Sequence, residues 1–194
     1  MHAIHIALPA WTKNYIKTTA VFASPEARMA FVIELSKQNI EHKTGGPFAA
    51  AVFDQQTKTL IALGVNTVVE QQAAIAHAEI MALTIANQKL KTHDLGTAAL
   101  ELVTSSQPCI MCYGAAIWNG VQQITIGARG SDVKEITGFD EGPLPLDWEP
   151  QLEARGITVL KDILRTEACH ILRIYKTTNG IIYNSQANRS TKNT

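Results

Sequence analysis

The chain has 194 residues, of which 46% are hydrophobic, enough apolar side chains for one packed core. Its 17 Lys and Arg residues balance 17 Asp and Glu residues, so the formal net charge is zero. A zero balance excludes a general attraction to nucleic acid backbones or anionic membranes, although it does not exclude a local basic patch.

Cysteine content and the start of the chain predict a soluble protein of the cytoplasm. The three cysteines, Cys109, Cys112 and Cys169, do not make the disulfide framework of a small secreted protein. The C-x-x-C pair suits metal or redox chemistry in a reducing compartment. The first 17 residues lack the basic cluster of a signal peptide, and no apolar run approaches the roughly 20 residues that span a bilayer.

The first predicted element is a helix over about 25–42. Ser24 is a favourable N-cap, Pro25 suits the first helical position, and Glu26 complements the helix dipole. Apolar residues then follow at helical spacing. These residues are Ala27, Ala30, Phe31 and Leu35.

Strand and helix patterns alternate after this helix. Polar residues 55–59 separate the apolar runs 48–54 and 60–69, which is typical of an antiparallel hairpin. The later pattern predicts a helix over about 76–90, a strand over 99–106, a helix from Pro108 to Trp118, a strand over 122–128, a loop over 130–150, a strand over 156–160 and a helix from Thr166. This order predicts an α/β fold, a three-layer α/β/α sandwich with a mixed central sheet of about five strands.

Two short motifs offer metal ligands near predicted helix starts. Cys109 and Cys112 lie three residues apart, so they share one helix face, and Pro108 marks a helix start that favours thiolates. His77 offers an imidazole from the start of another helix. Zinc prefers these ligand types, and a catalytic zinc has three protein ligands and an open position for water. We predict one Zn²⁺ per chain, held by His77, Cys109 and Cys112.

Glu79 follows His77 within an otherwise apolar segment, where a carboxylate is costly to bury without a partner. A zinc-bound water would be such a partner for the Glu79 carboxylate. We expect zinc-bound hydroxide to act as the nucleophile, and Glu79 to carry a proton from the water to a substrate nitrogen and then to the leaving amine.

Taken singly, each motif has a simpler interpretation. A C-x-x-C pair is often redox-active or structural, and a histidine on an apolar helix is usually a core residue. A structural zinc would need a fourth ligand, for which Cys169 or His170 are candidates, although Cys169 is more simply a small core residue. Together, H-x-E followed by P-C-x-x-C is the signature of zinc-dependent deaminases.

These motifs resemble the cytidine deaminase-like superfamily over about residues 25–175, and in particular its bacterial guanine deaminases. The stretches that carry the closer resemblance are "GVN" ending at Asn66, "GGPFAAAVF" (45–53), "HAEIMAL" (77–83), "FDEGP" (139–143) and "NGIIYN" (179–184). The resemblance implies a single deaminase domain over 1–194 with 176–194 as a C-terminal lid or tail. It also implies a homodimer and conversion of guanine to xanthine with loss of ammonia.

The resemblance assigns roles to residues beyond the metal ligands. Asn66 and the backbone of Ala78 are expected to bind the purine, and Glu141 to act as a second carboxylate that accepts from guanine N–H groups and lies near the leaving group. The alternative for Glu141 is a solvated loop acid. Phe48 is a candidate contact to the ring plane and Tyr183 a candidate lid. Trp118 is a further ring-contact candidate, although we favour a core position for it.

Other activities compatible with the same motifs are a tRNA adenosine deaminase, a cytosine or cytidine deaminase, and a deaminase of an aminated triazine. An RNA enzyme needs clustered Lys and Arg, whereas residues 135–153 carry six acids and no base. From another class, the chain is a candidate for a catalytically silent zinc scaffold. Retention of Glu79 argues against that alternative.

Overall fold

The structure is a computed structural model, and it describes residues 4–17 and 19–183. Of the predicted lid or tail over 176–194, residues 184–194 lie outside the described residues. The helices are a 3₁₀ turn Ala10–Thr12, α1 Lys13–Ile16, α2 Pro25–Glu41, α3 Ala78–Leu90, α4 Ile110–Asn119, α5 Gly130–Thr137, α6 Trp148–Glu153 and α7 Arg165–Thr177. The strands are β1 Ala49–Asp54, β2 Leu60–Val65, β3 Leu100–Ser106, β4 Gln123–Ala128 and β5 Thr158–Leu160.

The five strands form one mixed sheet in the order β2-β1-β3-β4-β5. Strand β1 is antiparallel to both β2 and β3, whereas β3, β4 and β5 are parallel to one another. The predicted hairpin and the predicted mixed sheet are therefore confirmed.

Both faces of the sheet are covered by helices. Because side chains alternate along a strand, Ala49, Ala51 and Phe53 of β1 pack into one apolar cluster with α2 and α7, while Ala50 and Val52 pack into a second cluster with α3 and α4. This arrangement confirms the predicted three-layer α/β/α sandwich. Within the described residues, no helix is long and apolar enough to cross a membrane.

Helix α2 begins as predicted, because the Ser24 side chain accepts a hydrogen bond from the backbone N–H of Ala27 at 3.1 Å. Its buried face differs from the prediction: Ala27 and Ala30 are exposed. The buried residues of the helix are Arg28, Met29, Val32, Ile33, Leu35, Ser36 and Asn39. The apolar spacing misled the prediction because part of the buried face is polar and binds backbone groups of a neighbouring loop.

The prediction that 130–150 is a loop was wrong, since this segment contains α5 and the start of α6. Asp132 accepts a hydrogen bond from the backbone N–H of Arg129 at 2.8 Å and so caps α5, which ends at Gly138 in a left-handed conformation. Pro150 lies in the first turn of α6, where no intrahelical N–H bond is lost. The glycines and proline therefore mark helix ends within this segment.

Candidate active site

The predicted site residues meet at one edge of the sheet. Ala49 at the start of β1 pairs with Val65 at the end of β2, and the Ala49 N–H donates to the Ser105 side chain near the end of β3 at 3.1 Å. The segments that carry Phe48, Asn66 and the residues after β3 therefore lie side by side. Helices α3 and α4 both begin at this edge, where parallel strands place their carboxyl ends.

His77 and Cys109 are the N-cap residues of α3 and α4, and both have extended backbones. The His77 Nδ1 atom lies 3.5 Å from the Cys109 sulfur and 3.7 Å from the Cys112 sulfur. All three ligand atoms lie within 4.8 Å of one another, and among the described residues this is the one group of three or more His, Cys, Asp or Glu side chains with that property. The two helix starts thus bring together the three predicted ligands.

The spacing of these atoms fits zinc. Tetrahedral zinc with ordinary Zn–S and Zn–N lengths separates its ligand atoms by about 3.6–3.8 Å, and the two distances to His77 agree with that value. Two sulfur ligands and one imidazole nitrogen are the donors zinc prefers. The residues present therefore suit one zinc ion per chain, with Nδ1 as the imidazole ligand.

Charge in the ligand group is shared unevenly between the thiols. The pKa of Cys109 is lowered to about 4, first by the hydrogen bond from the Cys112 thiol and then by His77, against the effect of burial. Donating that bond, together with burial, raises the pKa of Cys112. Burial lowers the pKa of His77, but the bond with Cys109 and the nearby acids outweigh it, so that pKa is raised. The three ligand groups are therefore electrostatically coupled, as expected of side chains that converge on one point.

Glu79 lies in the first turn of α3 and is only 7% exposed. The Cys112 sulfur lies 3.4 Å from Glu79 Oε2, and the Thr104 hydroxyl lies 3.4 Å from Oε1. Burial, and next the negative charge of Cys109, raise the pKa of Glu79. A carboxyl group that touches a metal ligand and binds its proton more tightly than usual is suited to moving protons at this centre.

A cavity of about 330 Å³ opens onto the metal ligands, within the size range of small-molecule sites. The predicted substrate residues Phe48, Asn66, Glu141 and Tyr183 all line it. Ala78 is fully buried, and a side chain at Gly64 would meet its carbonyl oxygen, so that oxygen faces β2. The Ala78 N–H belongs to the first turn of α3, where backbone donors have no partner within the helix.

Tyr183 lies across Asn66 inside this cavity. The Asn66 side-chain amide donates to the Tyr183 hydroxyl at 2.6 Å, and its oxygen accepts from the backbone N–H of Val68 at 3.3 Å. The Tyr183 ring packs 4.8 Å from the Phe139 ring and meets the edge of His77 at 6.3 Å. Burial raises the pKa of Tyr183 well above its usual value, so this hydroxyl keeps its proton.

Glu141 is held over the start of α4, because its backbone carbonyl accepts from the Ile110 N–H at 3.0 Å. Its side chain is half-buried and lines the cavity. Burial, followed by the charges of Cys109 and Glu79, raises the pKa of Glu141 to about 8. A second carboxyl group with a perturbed pKa thus shares the cavity with Glu79.

Trp118 does not occupy the predicted core position. It is 86% exposed and does not line the cavity. Ala116, on the buried face of α4, lies two residues earlier, so Trp118 is about 200° around the helix and points away from the sheet. Cys169, in contrast, is buried in the α2 and α7 cluster, as predicted for a small core residue.

Thr104 and Phe139 are among the residues of the site that sequence reasoning missed. Thr104, the hydroxyl partner of Glu79, is a polar residue in an apolar strand, and that contrast was the available signal. Phe139 packs against both Phe48 and Tyr183 and lines the cavity. It opens the "FDEGP" stretch, in which the acids carry a stronger chemical signal than an aromatic residue does.

Comparisons with known proteins agree with this geometry. The family described as the cytidine and deoxycytidylate deaminase zinc-binding region matches residues 23–128. A structure of guanine deaminase from Nitrosomonas europaea is 50% identical, covers 90% of this chain and 97% of that chain, and has a TM-score of 0.87. The structure of NE0047 in complex with 2,6-diaminopurine is 51% identical, with a TM-score of 0.88 over 95% of this chain and 98% of that chain.

The curated relatives include deaminases with different substrates. The tRNA-specific adenosine deaminase of Buchnera aphidicola (subspecies Schizaphis graminum) is 32% identical over 124 residues, which are 64% of this chain and 75% of that protein. The guanine deaminase of Bacillus subtilis is 30% identical over 125 residues, which are 64% of this chain and 77% of that protein. At this level of identity the relatives share the chemistry and differ in the substrate.

Proposed function

This chain belongs to the cytidine and deoxycytidylate deaminase zinc-binding family, and from that premise we propose that it converts free guanine to xanthine and ammonia. It is a zinc-dependent deaminase, with one zinc per chain at His77, Cys109 and Cys112. The choice of guanine as the substrate rests on the residues that line the cavity.

The charge of the cavity carries the proposal. Three acids line it, Glu79, Asp140 and Glu141, and no Lys or Arg among residues 4–17 and 19–183 does. Guanine presents several N–H donors along its edges, for which carboxylates are natural acceptors. The cavity has a volume of about 330 Å³ and is lined by the aromatic rings of Phe48 and Tyr183, which suits a flat free base.

Glu79 and Glu141 transfer the protons of the reaction. When bound, zinc acidifies a water molecule and so supplies the nucleophile. Glu79 takes a proton from the attacking water at its carboxylate and passes it to a ring nitrogen. It then takes the proton of the hydroxyl group that has added to the ring carbon and passes it to the amine, which leaves as ammonia as the carbonyl forms. Glu141 accepts from guanine N–H groups and is a second proton carrier beside the leaving amine.

The remaining cavity residues hold the ring. Asn66 pairs with the purine through its amide, and Ala78 offers a backbone N–H from the helix start. Phe48 contacts the ring plane. Tyr183, already hydrogen-bonded to Asn66, closes the cavity over the base and excludes water.

A tRNA adenosine deaminase is the strongest rival, given the relative from Buchnera aphidicola. Such an enzyme must hold a phosphodiester backbone at the mouth of its site. Asp140 and Glu141 lie on the loop that lines the cavity here, and residues 135–153 include no Lys or Arg. Repulsion of phosphate by this loop favours the free base.

The deciding experiment is ammonia release from a panel that contains guanine, guanosine, adenine, cytosine, cytidine, an aminated triazine and a tRNA anticodon stem-loop. Guanine is expected to be turned over fastest, with the stem-loop inert. Glu79→Gln, purified in parallel, controls for a contaminating deaminase. Deamination of the stem-loop without guanine turnover would overturn the proposal. A protein that binds zinc but releases no ammonia from any substrate would point to the silent scaffold.

A homodimer is proposed on a separate observation, the outer face of α4. This helix contains no charged residue, and Ile110, Gly114 and Trp118 follow one another at four-residue spacing along its exposed side. An apolar stripe of this kind is suited to packing against a second copy, with Gly114 allowing close approach. The stripe begins at Ile110, which lines the cavity, so a partner chain would also border the site.

Light scattering after size-exclusion chromatography tests the dimer. Trp118→Glu is expected to give a monomer, whereas Val21→Glu, an equally polar change at another exposed apolar residue, keeps the mass of the wild type. A wild-type monomer, or a Trp118→Glu dimer, would remove α4 as the interface.

The cytoplasmic location is proposed from the three free thiols, which suit a reducing compartment.

A further inference from the structure

Asn39, near the end of α2, is a buried polar residue to which the chemistry above gives no task. It is fully buried on the face of the helix that packs toward the cavity wall. A buried amide is costly unless its donors and acceptor are all satisfied. The partners of Asn39 therefore indicate what it does.

The Asn39 amide bonds to Asn66, which lines the cavity, and to two residues of the loop before β1. Its nitrogen donates to the carbonyl of Gly46 at 2.8 Å and to the carbonyl of Asn66 at 2.8 Å. Its oxygen accepts from the Thr44 hydroxyl at 2.8 Å. Because carbonyls only accept, the nitrogen must face them, so this orientation of the amide is the one that satisfies all three bonds.

One of the two carbonyls is that of Asn66, and the other, that of Gly46, lies in the loop before β1 that pairs with Asn66 through Phe48. The Phe48 N–H donates to the Gly46 carbonyl at 2.9 Å, and the Asn66 N–H donates to the Phe48 carbonyl at 3.0 Å. Gly45 lets the loop pass this close, because a Cβ there would lie 1.7 Å from the Asn66 carbonyl oxygen. Asn39 thus ties the loop 44–48 to the backbone carbonyl of Asn66.

Further hydrogen bonds link Asn39 to the N-terminal segment, and each donor in this series points toward Asn39. The Trp11 indole N–H donates to the Thr44 hydroxyl at 3.1 Å, and that hydroxyl donates to Asn39. A chain of donors pointing the same way polarises each bond in turn. It connects the N-terminal segment, across α2, to the base-binding asparagine.

We propose that Asn39 is a positioning residue for Asn66, fixing through the Asn66 carbonyl where its side-chain amide meets the purine. The inference rests on the proposed function, since it takes Asn66 as the residue that holds the base. Small displacements of a positioning group are costly, so loss of Asn39 should lower guanine kcat/KM on the order of tenfold. The loss is expected in KM, because Asn66 holds the ring before as well as during reaction.

A double-mutant cycle separates positioning from general support of the fold. Asn39→Ala is measured in the wild type and in an Asn66→Ala background, with zinc content and Tm recorded for each. If Asn39 acts through Asn66, its removal costs on the order of tenfold in the wild type and less than about twofold once Asn66 is gone. Ser36→Ala is the matched control, because it removes a buried bond from the same face of α2 to the Pro47 carbonyl. This control is expected to lower Tm without the same dependence on Asn66.

The possible outcomes are distinct. An equal loss in both backgrounds overturns the role of Asn39 and leaves the proposed function standing. Wild-type guanine turnover by Asn66→Ala alone overturns the assigned role of Asn66, and the inference falls with it. If Asn39→Ala does not fold, Thr44→Val takes its place, since it removes the hydroxyl that donates to the Asn39 amide and accepts from the Trp11 indole while leaving the Asn39 side chain present. Its expected loss of about threefold should also vanish without Asn66.

Discussion

Replacing Glu79 with Gln tests the proton carrier while leaving the shape of the site intact. The side chain is 7% exposed and keeps its volume, and the new amide still accepts from Thr104. Burial and the charge of Cys109 raise the pKa of Glu79, so the carboxylate form is disfavoured where it lies. Removing the charge should therefore leave Tm unchanged or slightly higher.

Turnover should respond very differently. General acid–base catalysis by one side chain contributes on the order of a hundredfold to ten-thousandfold, and Glu79 serves both proton transfers. We expect kcat for guanine to fall on the order of a thousandfold, equivalent to about 4 kcal/mol of transition-state stabilisation. Xanthine formation is followed by absorbance at saturating guanine, with zinc measured in the same samples. The control is Glu153→Gln, which removes an exposed acid from α6. Turnover within tenfold of the wild type, with zinc retained, would refute Glu79 as the carrier.

Three further changes probe other parts of the molecule. Cys112→Ala removes a fully buried ligand and should lower zinc from about one per chain to a trace, whereas full retention by metal analysis would contradict the ligand set. Glu141→Gln should lower guanine kcat/KM at least about tenfold with zinc unchanged, and an unaffected rate would return Glu141 to a solvated loop acid. Asp132→Asn tests stability, because the Arg165 guanidinium holds the pKa of Asp132 at about 2, below its usual 3.8. That contribution is present above pH 4 and lost as pH falls toward 2, so the variant should melt a few degrees lower at pH 7 and match the wild type near pH 2.

The metal centre was predictable from sequence because its chemistry restricts both residue type and spacing. Only thiolates and imidazoles suit zinc well, and the C-x-x-C pair and His77 each stand at a helix start. Parallel strands place such starts at one edge of the sheet, so meeting of the ligands followed from the alternating pattern. The same alternation gave the order of strands and helices.

The features that the sequence did not predict depend on contacts between distant segments. Helix α5 is fixed by Asp132, which caps it and pairs with Arg165 of α7, a partner 33 residues away. Trp118 is apolar, yet its side of α4 faces no element within the described residues. Asn39 carries no local signal at all, because its importance comes from the carbonyl of Asn66, 27 residues along the chain. Spacing within a segment does not report such partners.

The site separates chemistry from substrate choice in a physically simple way. Two helices carry the chemical residues: His77 and Cys109 are the N-caps of α3 and α4, and Glu79 and Cys112 lie in the first turns of these helices. Both helices pack on the central sheet, so the geometry of these side chains is set by the core. The acids that we propose select the base, Asp140 and Glu141, lie instead on the loop after α5, where the Glu141 carbonyl accepts from the Ile110 N–H. Changing that loop alters the charge of the cavity without moving a metal ligand. We therefore expect the charge of this loop, rather than the zinc ligands, to decide which aminated ring this chain accepts.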